Sequence, residues 1–268
     1  MNRKISLLMV VSSVISSSSI VQVLSKTTCT SSTSTSTDNI WKVQKIDTND
    51  KTIKIPVNSK KIHFVRHAQG FKYILHIIIF NFIIILSGYH NVAGETDPIF
   101  GYLREDLEDA ILTDLGKKQC EDLSNSINDD VFKKISLIFV SPMRRTIQTS
   151  LLSFPQQAKN SKVIFLANEN IREQTGFYIY YYIIIFNFII ILSGMHPCDR
   201  RRTIDLQRKD YPRIDFSKII SDKDPIYSSY TFREPETHCA DRGKKFLEYL
   251  FTLDEKEVIV VTHSGLVF

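Results

Sequence analysis

Apolar residues fall along this chain in short blocks with two different periods. Four runs rich in Ile, Val and Phe, each bounded by polar residues, read as buried strands: KIHFV (Lys61–Val65), SLIFV (Ser136–Val140), KVIFL (Lys162–Leu166) and EVIVV (Glu257–Val261). Between them lie stretches with helical spacing. Leu112–Ile127 is one, with Gly116 near its start, and Arg144–Phe154 is a second. Glu236–Phe251 is a third, with Phe246, Leu247, Leu250 and Phe251 at helical intervals. Strands that are apolar throughout and alternate with helices predict a three-layer α/β/α sandwich around a mostly parallel central sheet.

Two places break this pattern. The stretch IIIFNFIIILSG occurs at Ile77–Gly88 and again, letter for letter, at Ile183–Gly194. Each copy ends an 18-residue block, Phe71–Gly88 or Phe177–Gly194, that follows a Gly and begins with Phe. A membrane span is disfavoured, because each apolar run has about 14–16 residues against the ~20 a spanning helix needs. An interfacial helix would show a charged face, and neither block has one. Genuine β-rich insertions pairing with each other would be uncharged, β-branched aggregation hazards. None of these readings accounts for identical sequence at two sites. The blocks consist almost entirely of Ile, Phe, Tyr, Leu and Asn, whose codons are A/T-rich, and a terminal Ser-Gly encoded as TCAGG places an AG at the edge. The expectation is therefore two short introns retained in the reading frame; 268 residues less two blocks of 18 leaves 232.

The amino terminus has a third texture. Arg3 and Lys4 precede an apolar run from Ile5 to Ile15, serines follow, and no acidic residue appears before Asp38. This is the layout of a secretory signal or an organellar transit segment, with a disordered polar tail as the bland alternative. Residues 1–39 are read as a targeting or disordered leader and residues 40–268 as one domain interrupted by the blocks at 71–88 and 177–194. The leader points to the secretory pathway or an organelle, with a cytoplasmic location as the alternative.

Composition narrows the partners. The apolar share of 43% and charged share of 24% are those of an ordinary globular protein. The net charge is only +5, and Arg200–Arg202 is the single basic run, which argues against a nucleic-acid surface and for a local anion site. The four cysteines, Cys29, Cys120, Cys198 and Cys239, form no CxxC pair and no zinc spacing, so they are read as thiols. No cofactor or metal is expected.

Candidate chemistry sits at the strand ends. The first strand is followed by Arg66-His67, the second by SPMRRTIQT with Arg144 and Arg145, the third by NENIREQ with Arg172 and Glu173, and the fourth by THSG with His263. Ligands of open α/β sheets bind outside the carboxyl ends of the strands, so these residues would converge on one crevice. Two imidazoles, several guanidinium forks and a carboxylate suit a dianionic phosphoryl group. A neutral imidazole can attack phosphorus, arginines can stabilise the equatorial oxygens, and a carboxylic acid can protonate the leaving oxygen. Any one such residue is more often structural; four strand ends with a compatible set are not expected by chance.

This set resembles the histidine phosphatase superfamily, with its phosphoglycerate mutase-like fold. Arg66-His67 resembles its RHG signature, with Ala68 as the third residue here. Arg145 matches the arginine of an S-x-x-x-R-x-x-x-T pattern running from Ser141 to Thr149, Glu173 the proton donor, and His263 in THSG the second histidine. The stretches HNVAG (His90–Gly94) and HPCDRRR (His196–Arg202) extend the likeness to plant- and fungus-type proteins.

The resemblance implies His67 as nucleophile, Glu173 as acid/base and His263 as the second catalytic histidine. Arg66, Arg145 and Asn91 would bind the phosphoryl group, and Arg200 and Arg201 a second acidic group of the substrate. His90 and His196 would lie beside the pocket, and His63 would be packed inside its strand. The implied activity is a phosphomonoester phosphatase, ahead of a phosphomutase, acting on a small phosphorylated substrate. The rival classes are a phospho-ligand-binding pseudo-enzyme and, should the two blocks be translated, a membrane-associated relative. In the family RHAQG runs straight into YHNVAG, and REQTG into MHPCDRRR; here both junctions are interrupted, which puts Asn91 24 positions after His67 instead of six. A helix is also expected after the His263 loop, so a truncated carboxyl terminus is a further expectation.

Overall fold

The computed structural model describes residues 5–11, 20–29, 38–47, 60–66, 76–79, 82–85, 105–127, 132–181, 190–194, 196–231, 233–263 and 266. In chain order the strands are β1 (Ile5–Val11), β2 (Ile20–Cys29), β3 (Asp38–Asp47), β4 (Lys61–Arg66), β5 (His76–Ile79), β6 (Phe82–Ile85), β7 (Leu137–Val140), β8 (Ile164–Ala167), β9 (Phe177–Tyr181), β10 (Ile190–Gly194) and β11 (Glu257–Thr262). The helices are α1 (Asp114–Ser126), α2 (Arg144–Ser153), α3 (Pro155–Lys159), α4 (Ile204–Asp210) and α5 (Glu236–Thr252).

The four apolar runs become β4, β7, β8 and β11, which pair in parallel in the order β4-β11-β7-β8. Successive residues of these strands point to opposite faces, and both faces are apolar, so each must be covered. On one face Ile138, Val140, Phe165, Ala167, Ile259 and Val261 pack with Ile147 of α2 and Ile204 of α4. On the other, Leu137, Phe139, Leu166, Val258 and Val260 pack with Phe246 and Leu250 of α5. Phe139 and Phe246 meet edge to face at 5.1 Å. The expected three-layer α/β/α sandwich is therefore present.

Boundaries follow local hydrogen bonding. Thr113 caps α1 by accepting from Gly116 N at 2.9 Å. The third run begins its ladder two residues late, at Ile164. Asn160 Oδ1 accepts from Lys162 N, and the Val163 carbonyl accepts from Arg213 Nη2 at 2.6 Å. His63 is buried as expected, its Nε2 2.7 Å from Glu257 Oε1. The short helices α3 and α4 had no counterpart in the apolar pattern, being too brief to display a period.

The leader contributes pairing to the same sheet: β1, β2 and β3 form an antiparallel meander, and β1 runs parallel to β4. Backbone pairing and targeting are separate properties, since a targeting signal is read from the sequence before folding. The two inserted blocks form two separate two-stranded sheets, β5 with β6 and β9 with β10. Among the described residues they pair internally and not with each other. No helix among the described residues is long and apolar enough to cross a membrane. Of residues 264–268 only Leu266 is described, and it packs against the α5 face of the sheet.

Candidate active site

The carboxyl ends of β4, β11, β7 and β8 lie side by side, and the register fixes their relative height. Arg66 pairs with Thr262 across β4 and β11. His263 follows Thr262 and is fully buried, while Arg66 is exposed at the end of its strand. His67, the next residue after Arg66, lies outside the described residues, as does Asn91.

His263 is held from two sides. Its Nε2 shares a 2.8 Å hydrogen bond with Ser141 Oγ, and its Nδ1 lies 3.9 Å from Glu173 Oε2. Ser141 stands at the end of β7, where its backbone N–H donates to Val261 O, so one residue ties two neighbouring strand ends together. Glu173 is buried beyond β8 on the loop after a 3-10 turn, Glu169–Ile171. Thr262 Oγ1 donates to Ile171 O at 2.7 Å and fastens that turn to β11. The structure thus brings Glu173 and His263 together, from sequence positions 90 residues apart.

Arg145, in the first turn of α2, is also fully buried. It donates from Nη1 to Cys198 O at 2.8 Å and from Nη2 to Asp199 Oδ1 at 3.0 Å. Its buried Nε has no partner among the described residues, which leaves one edge of the fork able to meet an anionic oxygen. The helix it starts has no side-chain cap of its own at Met143; Asp109 Oδ1 accepts from Arg144 N at 2.8 Å instead. Burial pushes the Asp109 carboxyl above its usual range, against the Arg144 N–H and the Arg145 charge that pull it down. A carboxylate at a helix start also complements the helix dipole, so Asp109 fixes the direction in which α2 presents Arg145.

The basic run makes many of its contacts within the fold. Arg201 is buried, and its two terminal nitrogens donate to the carbonyls of Arg202, Asp222, Ser221 and Lys223. Its Nε lies 2.7 Å from Glu169 Oε1. The terminal nitrogens of Arg201 thus hold the loop that contains Ser221, Asp222 and Lys223. Arg200 is half-exposed and pairs with Glu105 and with Glu108 at 2.7 Å, its guanidinium 5.4 Å from the centre of the Tyr227 ring. Partial burial works to lower its pKa, and the hydrogen bonds to Glu105 and Glu108 outweigh that and raise it. Arg200 keeps a solvent-facing part beside these partners.

Several residues that carry no sequence pattern hold the acid loop. Arg172, next to Glu173, makes a bidentate pair with Asp224 at 2.6 and 2.8 Å and donates to Asp199 O at 2.6 Å. Burial acts to lower the Arg172 guanidinium, but the charges of Glu169 and Asp224 outweigh it and keep it raised. Burial acts to raise the Asp224 carboxyl, and Arg172 outweighs it, holding the group below the ordinary Asp value. From the other side Arg242 of α5 pairs with buried Glu234 and reaches the carbonyls of Asn170, Arg172 and Glu173. Thr175 and Glu234 close the loop through the 2.9 Å bond from Glu234 N to Thr175 O.

The Asp224–Arg172 pair yields a pH-dependent expectation. A carboxyl whose folded pKa lies below its unfolded one adds stability that is present above the ordinary Asp value and is lost as pH falls through the folded value. Replacing Asp224 by Ala leaves a buried guanidinium without its partner and is expected to destabilise the fold by about 3 kcal/mol at pH 7. The gap between wild type and Asp224→Asn in urea unfolding should hold from pH 7 to about pH 5 and narrow as the pH falls further, through the ordinary Asp value toward about pH 2. A gap that stays constant over that range would show that the charge of Asp224 contributes nothing.

The described residues offer one group with metal-ligand chemistry, His196, Cys198 and Asp199, all buried with ligand atoms within 4.8 Å of one another. Arg145 already donates to Asp199 Oδ1, which sets a fixed positive charge against the donor set a cation would need.

No family model matches the chain. Among characterised proteins it is similar to Phosphoglycerate mutase-like protein 2 of Arabidopsis thaliana, with 34% identity over 241 residues, 78% of this chain and 64% of that protein. It is also similar to Phosphoglycerate mutase-like protein 1 of Arabidopsis thaliana, with 35% identity over 222 residues, 78% of this chain and 70% of that protein. The chain thus spans somewhat less than two thirds of the first relative's length. Among solved structures, the ecdysone phosphate phosphatase of Bombix mori in complex with tungstate aligns with a TM-score of 0.41 and 14% identity, over 75% of this chain and 72% of that one.

Proposed function

This chain belongs to the phosphoglycerate mutase-like proteins, and on that footing we propose that it is a phosphomonoester phosphatase working through a phosphohistidine. The observation that supports the proposal is the approach of buried His263 and Glu173, from the ends of two different strands, to 3.9 Å, with buried Arg145 following the end of a third. His263 follows Thr262 of the Arg66–Thr262 register pair, and His67 follows Arg66 in the sequence.

In the first half-reaction an imidazole nitrogen of His67 attacks phosphorus. An N–P bond forms, the bond from phosphorus to the ester oxygen breaks, and Glu173 gives its proton to that leaving oxygen. In the second, water attacks phosphorus, Glu173 takes a proton from it, the N–P bond breaks and inorganic phosphate leaves. Arg66, Arg145 and His263 stabilise charge on the equatorial oxygens throughout. Asn91 donates to the same oxygens once it stands six positions after the nucleophile. The substrate is a small phosphorylated molecule. A mutase would differ only in the second half-reaction, returning the phosphoryl group to an organic acceptor in place of water.

Acid and alkali treatment of the quenched enzyme tests this. Mixed with p-nitrophenyl phosphate, the chain is expected to give a phosphoenzyme stable to alkali and labile to acid, with inorganic phosphate as product. A phosphoenzyme labile to alkali would rule out histidine as its site and overturn the proposal.

A further inference from the structure

Arg145 does not lie loose in its pocket. One edge of its fork rests on a single turn, through Cys198 O at 2.8 Å and Asp199 Oδ1 at 3.0 Å, and both side chains of the ion pair are buried. The other carboxylate oxygen of Asp199 faces His196 Nδ1 at 3.7 Å. The turn is anchored without help from the Asp199 side chain. Asp199 N donates to His196 O at 2.9 Å, and Arg172 Nη2 donates to Asp199 O at 2.6 Å. Asp199 therefore bears on Arg145 through its carboxylate, while its backbone fixes the turn.

Resting on the phosphoryl-pocket reading above, we propose that Asp199 is a positioning residue that pins Arg145 for the phosphoryl group and weakens the pocket's hold on a free dianion. Pinning follows from geometry. A buried guanidinium without an acceptor is unfavourable, and an unpinned one would seek other carbonyls. With Asp199 and Cys198 O holding one edge, the Nε edge stays presented to the phosphoryl oxygens. Weakening follows from charge. A carboxylate on the far side of the same guanidinium repels an arriving dianion in a low-dielectric site, where one charge has a large effect. The product is inorganic phosphate, so a tempered affinity speeds its departure.

Two substitutions separate the two effects. In Asp199→Asn the amide oxygen still accepts from Arg145 Nη2, while the negative charge is gone. Asp199→Ala removes the acceptor as well. The Kd for inorganic phosphate, measured on the full chain by calorimetry and by the phosphate-dependent rise in Tm, is the readout. Asp199→Asn is expected to bind phosphate about tenfold more tightly, the order of effect of one neighbouring charge at an effective dielectric near 20. Asp199→Ala is expected to bind about tenfold more weakly, because orientation is lost. A residue that only supports the fold would shift both variants in the same direction. Shifts of the same sign, or no shift in either, would overturn the proposal. Should Asp199→Ala not fold, the sign of the Asp199→Asn shift decides alone. If wild type binds no phosphate at all, the phosphoryl-pocket reading fails and this one with it; if wild type binds and the variants match it, only this one fails.

Discussion

Replacing His67 by Ala is expected to lower kcat toward p-nitrophenyl phosphate by about 10⁴-fold or more, the loss typical of removing a covalent nucleophile. Phosphate binding should fall far less, because Arg145 and His263 each have hydrogen-bonded support from elsewhere in the fold. Arg145 rests on Cys198 O and Asp199, and His263 on Ser141. The split between turnover and binding is what separates an enzyme from a phospho-ligand binder, which has no turnover to lose. Kinetics and phosphate calorimetry on the same preparation provide both numbers. Residual turnover within tenfold of wild type would end the phosphohistidine mechanism, whatever the binding result.

Excising both repeated blocks is expected to raise kcat/KM by about 100-fold, the scale on which a misplacement of about 1 Å acts in a catalytic site. The first block separates His67 from Asn91, and the second begins four residues after Glu173, so each interrupts a loop that the mechanism needs in one geometry. The structure adds a physical reason. The two-stranded sheets β5–β6 and β9–β10 stand apart from the seven-stranded sheet, and an isolated two-stranded ribbon is marginal in water. Among the described residues neither block is joined by strand pairing to the sheet it interrupts. The experiment compares the 268-residue chain with its 232-residue counterpart on the same substrate, with peptide mapping of the natural protein alongside. Equal activity from the two, or peptides from inside either block in the natural protein, would sink the retained-intron reading. The functional unit is then proposed to be residues 40–268 without the blocks at 71–88 and 177–194.

The identical blocks also show where local sequence stops deciding structure. In the first copy Ile84 pairs with Ile77, inside the repeated stretch; in the second the equivalent Ile190 pairs with Tyr181, outside it. Register is specified where one face of a strand must be buried and the other must not. A run apolar on both faces carries no such preference, so the neighbours choose.

The sequence by itself determined the parallel strands, the helices long enough to show a period, and the order of Arg66-His67, Arg145, Glu173 and His263 at the strand ends. These are legible because apolar periodicity and strand-end position are properties of a short stretch of chain. Only the tertiary structure decided which arginines serve the fold. Arg145 and Arg201 are both buried and both sit in basic sequence, yet the terminal nitrogens of Arg145 reach Cys198 O and Asp199 Oδ1 of one turn, while those of Arg201 are taken up by the carbonyls of Arg202, Ser221, Asp222 and Lys223. The roles of Asp199, Asp224 and Glu234 were hidden for the same reason. Asp224 meets Arg172 across 52 residues and Asp199 meets Arg145 across 54. A long charged side chain takes whichever acceptor the fold places within about 3 Å of it, and that acceptor is set by packing between distant segments, not by the residues beside it.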